Sequence, residues 1–586
     1  MDRLPLRNLT GVVVALLWLL TSTLVFALDA PALNAKTQNT AVNIGWTAVA
    51  GAERYVLYYA PYPDMDYIGQ IDMGEQRELK AELWEGASYY VAVKAYGADI
   101  ESDFSNIEYF VIPSSRVAAF YYPWYGNPSV DGHWVHWNQN INLFFNPPLD
   151  ISSDYYPVLG PYSSADPGVV SQHFAWLRDS KVGVIITSWQ GQGTREDQLV
   201  PLLLDIGQKY NIKVAFHIEP YQERNRLTLI RDISYIYSKY GSHPAFFRSN
   251  VTTPYSRVDK AKGVFFMWAA DFLNMEDLSS GTRVPLGYWK EAIDAIHESS
   301  EGALIIGNAL DPKRINNDHF DGLYNYATFN VDVGEEFVWA RSLPKDTLYV
   351  PSVVPGFSAK RIAYPESTYF PRRNGAAYDE QWTLALGTYV EPFMVTITSF
   401  NEWHEGSQIE PAVDGMTNGM GYKYKSYGKL GPEGYLNLTR KWIDKYLNWE
   451  WPEVCKLRII ISTTSDWTTV ELLEGGAFIK PEKISQSSWL TEGEFDGKKF
   501  RMIQPLELAE SGKNATIAYD VSLGFLDVEG SLSFEVERGH LGWTKVEIED
   551  REGNLLKELE WGGINETSTR NVTVFEVPIF ALLASE

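Results

Sequence analysis

The chain has 586 residues with 75 Asp and Glu against 50 Lys and Arg, a net charge of −25. That length allows several domains, the acidity argues against a nucleic-acid partner, and 45% hydrophobic with 21% charged residues is the make-up of a folded globular protein. The lone cysteine, Cys455, excludes an intrachain disulfide and a thiolate zinc cluster.

Residues 1–29 form the first element. Arg3 and Arg7 precede an apolar run from Gly11 to Leu28, and Val25-Phe26-Ala27 offers a cleavage site. The segment predicts export, with the protein secreted, or anchored at the outer face of a membrane if the run stays uncleaved. Residues 30–113 alternate with period two through Val42, Ile44 and Trp46, then Tyr55 to Tyr59, then Tyr89 to Tyr96, which predicts a small β-sandwich. Leu83 to Tyr89 is similar to the corner before a late strand of fibronectin type III domains, with Trp46 as the core tryptophan. Its expected role is a spacer.

Over residues 114–452 short apolar runs alternate with helical patterns. The runs are Val117 to Tyr122, Val182 to Ser188, Lys213 to Ile218, Gly263 to Trp268, Ala303 to Gly307, Gly322 to Tyr326, Leu348 to Val353 and Met394 to Ser399. Eight such units predict a (β/α)8 TIM barrel, whose active site should lie at the C-terminal ends of the strands. Asp166-Pro167 supplies an N-cap and first-turn proline for a helix facing the sheet with Val170, Phe174 and Leu177. The positions following the runs hold Trp124, Tyr125, Trp189, Glu219, Asp271, Asn308, Tyr324, Tyr326, Asn401 and Glu402, so aromatics and carboxylates converge on one rim. Residues 453–586 return to strand alternation, as in Ile517, Tyr519, Val521 and Leu523, and predict a second β-sandwich before and after the turn at Arg551 to Asn554. This unit is either a carbohydrate-binding module or a structural cap.

The most informative segment is Ile397-Thr398-Ser399-Phe400-Asn401-Glu402-Trp403-His404-Glu405-Gly406. Were it to begin a helical turn, Glu402 and Glu405 would project to one side, near the ~5 to 5.5 Å spacing of retaining glycosidases. A glutamate enclosed by Trp403 and His404 would hold its proton and act as the acid. The nine histidines show no His-x-x-x-His pair, so no metal and no cofactor are implied.

This segment resembles the signature of glycoside hydrolase family 99, the endo-α-mannosidases and endo-α-mannanases. Tyr121 to Pro128 with His136-Trp137-Asn138, Leu159 to Ser164 with Ser188-Trp189, Phe216 to Tyr221, Phe320 to Tyr324 and Pro351 to Phe357 resemble the family's other barrel segments in order and spacing. The unit Phe265 to Asp271 does not align with it. The resemblance implies a retaining endo-acting α-mannoside hydrolase in which the substrate's own 2-hydroxyl forms a 1,2-anhydro sugar, with Glu402 as base and Glu405 as acid. It also implies substrate contacts from Tyr125, Trp189, His217, Glu219, Tyr221, Tyr324, Asn401 and His404, with Trp189 either stacking on an outer sugar or plugging the barrel top. The partner so implied is an oligo- or polysaccharide containing α-mannosides. A glycosidase for another α-linked glycan and a glycan-binding protein without catalysis are the alternatives.

Overall fold

The computed structural model describes residues 27–449, apart from 139–144, 257–259, 327–338, 341, 363–368 and 387–389, together with the strands of a C-terminal unit between 456 and 576. The expected export segment, Cys455 and the turn at 551–554 lie outside the described residues. Among the described residues no helix is long and apolar enough to cross a membrane.

The first unit is a sandwich of a three-stranded and a four-stranded antiparallel sheet. In its strand Ser88–Tyr96 the odd-numbered residues Val91, Val93 and Ala95 are buried against Ile44, Trp46, Tyr55 and Leu57. Period-two patterning therefore gives one dry face, as a strand's alternating geometry requires.

The second unit is a closed parallel barrel. Its strands are β1 (Ser114–Tyr121), β2 (Val182–Trp189), β3 (Lys213–Ile218), β4 (Lys262–Met267), β5 (Ala303–Asn308), β6 (Gly322–Tyr324), β7 (Leu348–Val350 and Ser352–Val353) and β8 (Val395–Ile397). Each pairs in parallel with its neighbours, and β8 returns to β1 through Val395, Thr396 and Ile397 opposite Val117, Ala118 and Ala119. Strand β7 is interrupted at Pro351, whose ring nitrogen has no N–H to donate; its first part pairs with β6 and its second with β8, which completes the ring. All eight residues of β2 are buried, because helices cover the outside while side chains fill the inside. Gly322 permits the close approach of β6 and β7, since a Cβ there would stand 2.2 Å from the Leu348 carbonyl oxygen.

Outer helices are α1 (Pro167–Asp179), α2 (Arg195–Tyr210), α3 (Arg226–Tyr240), α4 (Lys290–Glu298), α5 (Lys313–Asp318), α6 (Ala376–Leu386) and α7 (Gly434–Leu447). Asp166 caps α1 by accepting from the Gly168 N–H, and Val170, Phe174 and Leu177 form its buried stripe together with His173. The C-terminal unit consists of two antiparallel five-stranded sheets, with a third pair of short strands, and Ile459, Ile461, Ile517, Tyr519, Val546 and Ile548 are buried in it.

The first sandwich docks on the N-terminal end of the barrel. Glu85 accepts hydrogen bonds from Ser114 (2.9 Å) and Ser115 (2.5 Å) at the start of β1. The Asn39 backbone exchanges two hydrogen bonds with the Asn211 side chain just before β3, and Arg178 of α1 donates to the Tyr109 hydroxyl. The contact is at the end of the barrel opposite the rim described next.

Candidate active site

Strand β8 delivers the chain to the rim and the next ten residues turn back on themselves. The segment is a run of tight turns, with Trp403 N donating to the Asn401 carbonyl (3.1 Å) and Gly406 N to the Trp403 carbonyl (3.3 Å), rather than the helical turn the spacing suggests. Gly406 has φ 59° and a Cβ there would stand 2.9 Å from the Ser358 carbonyl oxygen, so both conformation and space call for glycine. The start of the loop is bolted to β1: Asn401 accepts from Tyr122 N (2.8 Å) and donates to Tyr122 O (3.0 Å).

Glu402 is 4% exposed, and Glu405 is half-buried beside it. Burial first, then repulsion from Glu405, pushes the Glu402 carboxyl well above its ordinary value. Burial and the Glu219 carboxylate raise Glu405 to about 7. Three acidic groups thus face one small, poorly solvated space, and the set retains a proton near neutrality. Opposing this, Glu402 accepts a 3.0 Å hydrogen bond from the His404 N–H and is also helped by the Glu405 N–H, contacts that favour charge on Glu402.

Strand β3 contributes the third carboxylate. His217 lies with Nδ1 3.1 Å from Glu219 and Nε2 2.6 Å from the Tyr324 hydroxyl at the end of β6, so β3 and β6 meet across the barrel top. Tyr122 and Tyr326 join hydroxyl to hydroxyl, and both carry pKa values raised by burial and by the neighbouring carboxylates. Half-buried aromatic rings at the mouth are Trp124, stacked between Tyr122 (4.5 Å) and His136 (4.8 Å), and Trp268, edge-on to Tyr326.

The structure sorts the expected contact residues. Glu402, Glu405, Glu219, His217 and Tyr324 come together. Asn401, Tyr125 and His404 act on the loop itself: the buried Tyr125 hydroxyl accepts from Trp403 N (3.1 Å), and His404 Nε2 meets the His136 carbonyl (2.7 Å) and Ser152 (2.9 Å). Burial depresses His404 to about 4, which keeps the ring neutral. Trp189 has no open face for a sugar: it is fully buried, with its indole N–H donated to Asp197 (3.0 Å) at the start of α2 and its ring beside Tyr235 of α3, so it packs between β2 and the outer helices and neither stacks on a sugar nor plugs the barrel top. Tyr221 is half-buried, its hydroxyl donated to Asp232. Asp271 points to Arg314 (2.8 Å) and so serves the outer wall.

Residues without a local sequence signal complete the frame. Arg224, buried and lowered by burial to about 10, donates to the carbonyls of Ile218, Trp268, Ala269, Phe272 and Leu273, tying the loops after β3 and β4. Arg372 is buried among Tyr155, Tyr427 and Tyr435, with its guanidinium 4.9, 4.7 and 4.5 Å from their ring centres, and donates to the carbonyls of Gly406 and Gln408. Glu410, also buried, accepts from the Trp403 indole (2.9 Å) and the Tyr162 hydroxyl (2.8 Å).

A barrel with clustered glutamates at the C-terminal end of its strands is a familiar setting for glycosidic-bond hydrolysis, and this chain is a glycoside hydrolase. The sequence model described as Glycosyl hydrolase family 99 matches residues 114–448, and the chain belongs to that family. It is 36% identical over 358 residues to a Mus musculus protein named glycoprotein endo-alpha-1,2-mannosidase, covering 56% of this chain and 74% of the relative. It is 32% identical to a Homo sapiens glycoprotein endo-alpha-1,2-mannosidase-like protein, over 57% of this chain and 76% of that one. Among solved structures, a GH99 endo-alpha-mannosidase from Bacteroides thetaiotaomicron is 32% identical with a TM-score of 0.49, over 57% of this chain and 98% of that one.

Proposed function

We propose that the protein is an exported, retaining, endo-acting α-mannoside hydrolase whose catalytic domain is the barrel, residues 114–452, with the two sandwiches, 30–113 and 453–586, as accessory domains. The observation that carries this is the Glu402 and Glu405 pair in a barrel whose relatives are named endo-α-1,2-mannosidases. Export rests on the sequence of residues 1–29, either cleaved or retained as an anchor.

In the proposed reaction Glu402 takes the proton of the sugar's 2-hydroxyl while that oxygen attacks the anomeric carbon. The glycosidic bond breaks, and Glu405 gives its proton to the departing oxygen. The product at this stage is a 1,2-anhydro sugar. Glu405, now a carboxylate, removes a proton from water; the water oxygen opens the three-membered ring at the anomeric carbon, and Glu402 returns its proton to the 2-oxygen. Two inversions give net retention. Burial and Glu219 support Glu405 as acid by holding its proton to about pH 7. Two backbone N–H groups favour charge on Glu402 against the burial that raises its carboxyl, and the repulsion from Glu405 that adds to that rise is absent while Glu405 holds its proton. His217, Glu219 and Tyr324 are assigned to sugar hydroxyls, and Tyr221, Trp124 and Trp268 to the outer subsites.

The test is incubation with a panel of α-mannans and glucosylated mannosides, followed by chain-length analysis. Release of internal fragments with α stereochemistry is expected; release of single terminal sugars alone, or of β products, contradicts the reading.

A further inference from the structure

We infer that Glu410, on the far side of the catalytic turn from the substrate, is a positioning residue that sets Trp403 and thereby the two glutamates flanking it, through a buried relay reaching back to His173 and Tyr121. The inference rests on the assignment of Glu402 and Glu405 above.

The carboxylate of Glu410 is completely buried, as is the ring of His173 on α1, whose Nε2 lies 3.2 Å from it. His173 Nδ1 is 3.0 Å from the Tyr121 hydroxyl at the end of β1. The Tyr121 hydroxyl meets Nδ1, while Nε2 and the facing Glu410 oxygen are in contact without the alignment of a hydrogen bond. The other Glu410 oxygen accepts from the Trp403 indole N–H (2.9 Å) and the Tyr162 hydroxyl (2.8 Å). Tyr162 in turn lies 3.3 Å from the Asn401 amide nitrogen. One carboxylate therefore holds Trp403 directly and reaches Asn401, on the other side of Glu402, through Tyr162.

Core filling does not account for this group. Replacing a buried charged network by well-packed apolar residues is commonly neutral or stabilising, so stability alone is a poor reason to place a carboxylate here. What the carboxylate adds is direction. Trp403 is held at three points: its backbone N–H donates to Tyr125, its carbonyl accepts from Ser153 (2.7 Å), and its indole is held by Glu410. With the tryptophan fixed, the backbone N–H groups of His404 and Glu405 that face Glu402 are fixed as well. Reacting groups misplaced by about 1 Å lose on the order of a hundredfold in rate.

The experiment uses the full-length protein, with kcat and KM measured on a linear α-mannan oligosaccharide for wild type, Glu410→Gln, Trp403→Phe and the double variant. Glutamine keeps the shape but turns a donor toward groups that already donate; phenylalanine removes only the indole N–H and the second ring. The expected result for Glu410→Gln is a kcat lower by about tenfold to a hundredfold with KM within about twofold. Trp403→Phe should fall in the same direction, and the double variant should be no worse than Glu410→Gln, because both act through one contact. A folded Glu410→Gln with wild-type kcat overturns the inference, as does a loss that appears in KM, or losses that multiply in the double variant. If Glu410→Gln does not fold, Trp403→Phe decides, and an unchanged kcat there overturns it. Wild-type enzyme silent on every α-mannan would instead remove the functional reading, and this inference with it.

Discussion

Glu219, at the end of the third barrel strand, acts across the mouth on Glu405, after the eighth: together with burial, its charge raises the Glu405 carboxyl to about 7. With Glu405 as the proposed acid, its proton persists to neutral pH, and kcat/KM is expected to fall as pH rises through about 7. In Glu219→Gln the repulsion is gone and the alkaline limb of the pH–rate profile should move to lower pH. An unmoved limb would assign that limb to another group.

Glu405→Gln should lower kcat by about a hundredfold to ten-thousandfold on an unactivated glycan, the usual range for removing a general acid. The loss should be much smaller on a substrate whose leaving group needs no proton. Steady-state kinetics on both substrates check this, and equal losses refute the acid role.

The same carboxyl has a signed effect on stability. Its folded pKa lies above the unfolded value of 4.5, so the folded state binds the proton more tightly. The stabilisation is complete below pH 4.5 and disappears as pH rises through about 7. Glutamine carries no such dependence. Glu405→Gln should thus melt about 2–4 °C above wild type at pH 8 and close to it at pH 4.5, measured by calorimetry.

Much of this arrangement is legible in the chain. Strand periodicity, the helix-start signal at Asp166 and the carboxylates after the eighth run come from local patterns, and the resemblance fixes their order. Contacts that cross the barrel are not local. Nothing near Arg372 announces that three tyrosines from distant segments surround it, nor near Glu410 that its partner is His173, 237 positions earlier (410 minus 173). Trp189 shows the converse: its place at a strand end leaves a sugar platform and a barrel plug both open, and only the fold shows the indole N–H donated to Asp197 and the ring covered by the outer helices.

Arg372 supports the far end of the catalytic turn, and no lysine can reproduce its planar, two-carbonyl contact within the tyrosine cage. Arg372→Ala should cost about 2–4 kcal/mol in urea unfolding, from the Gly406 carbonyl left without its Arg372 donor, the Gln408 carbonyl left with only the longer bond from Tyr427, and the lost ring contacts. Arg372→Lys should recover less than half of that. A lysine variant as stable as wild type would show that charge alone suffices.

A 2-deoxy-2-fluoro donor with an activated leaving group separates the two retaining mechanisms. Without a 2-hydroxyl Glu402 has no proton to remove, and no covalent adduct is expected by intact mass. A stable adduct located to Glu402 would establish a conventional glycosyl-enzyme.

The seat of the first sandwich on the barrel also governs reach. Asn39 and Glu85 touch the barrel at one end of this unit, while Leu28 packs by Gly51 and Ser102 at the other. A nine-residue strand, Ser88–Tyr96, spans the distance between them, about 30 Å at the usual rise. Leu28 is consequently held at a stand-off from the barrel floor, and the rim with the glutamates opens on the remote side. A glycan can therefore reach the glutamates without passing the first sandwich.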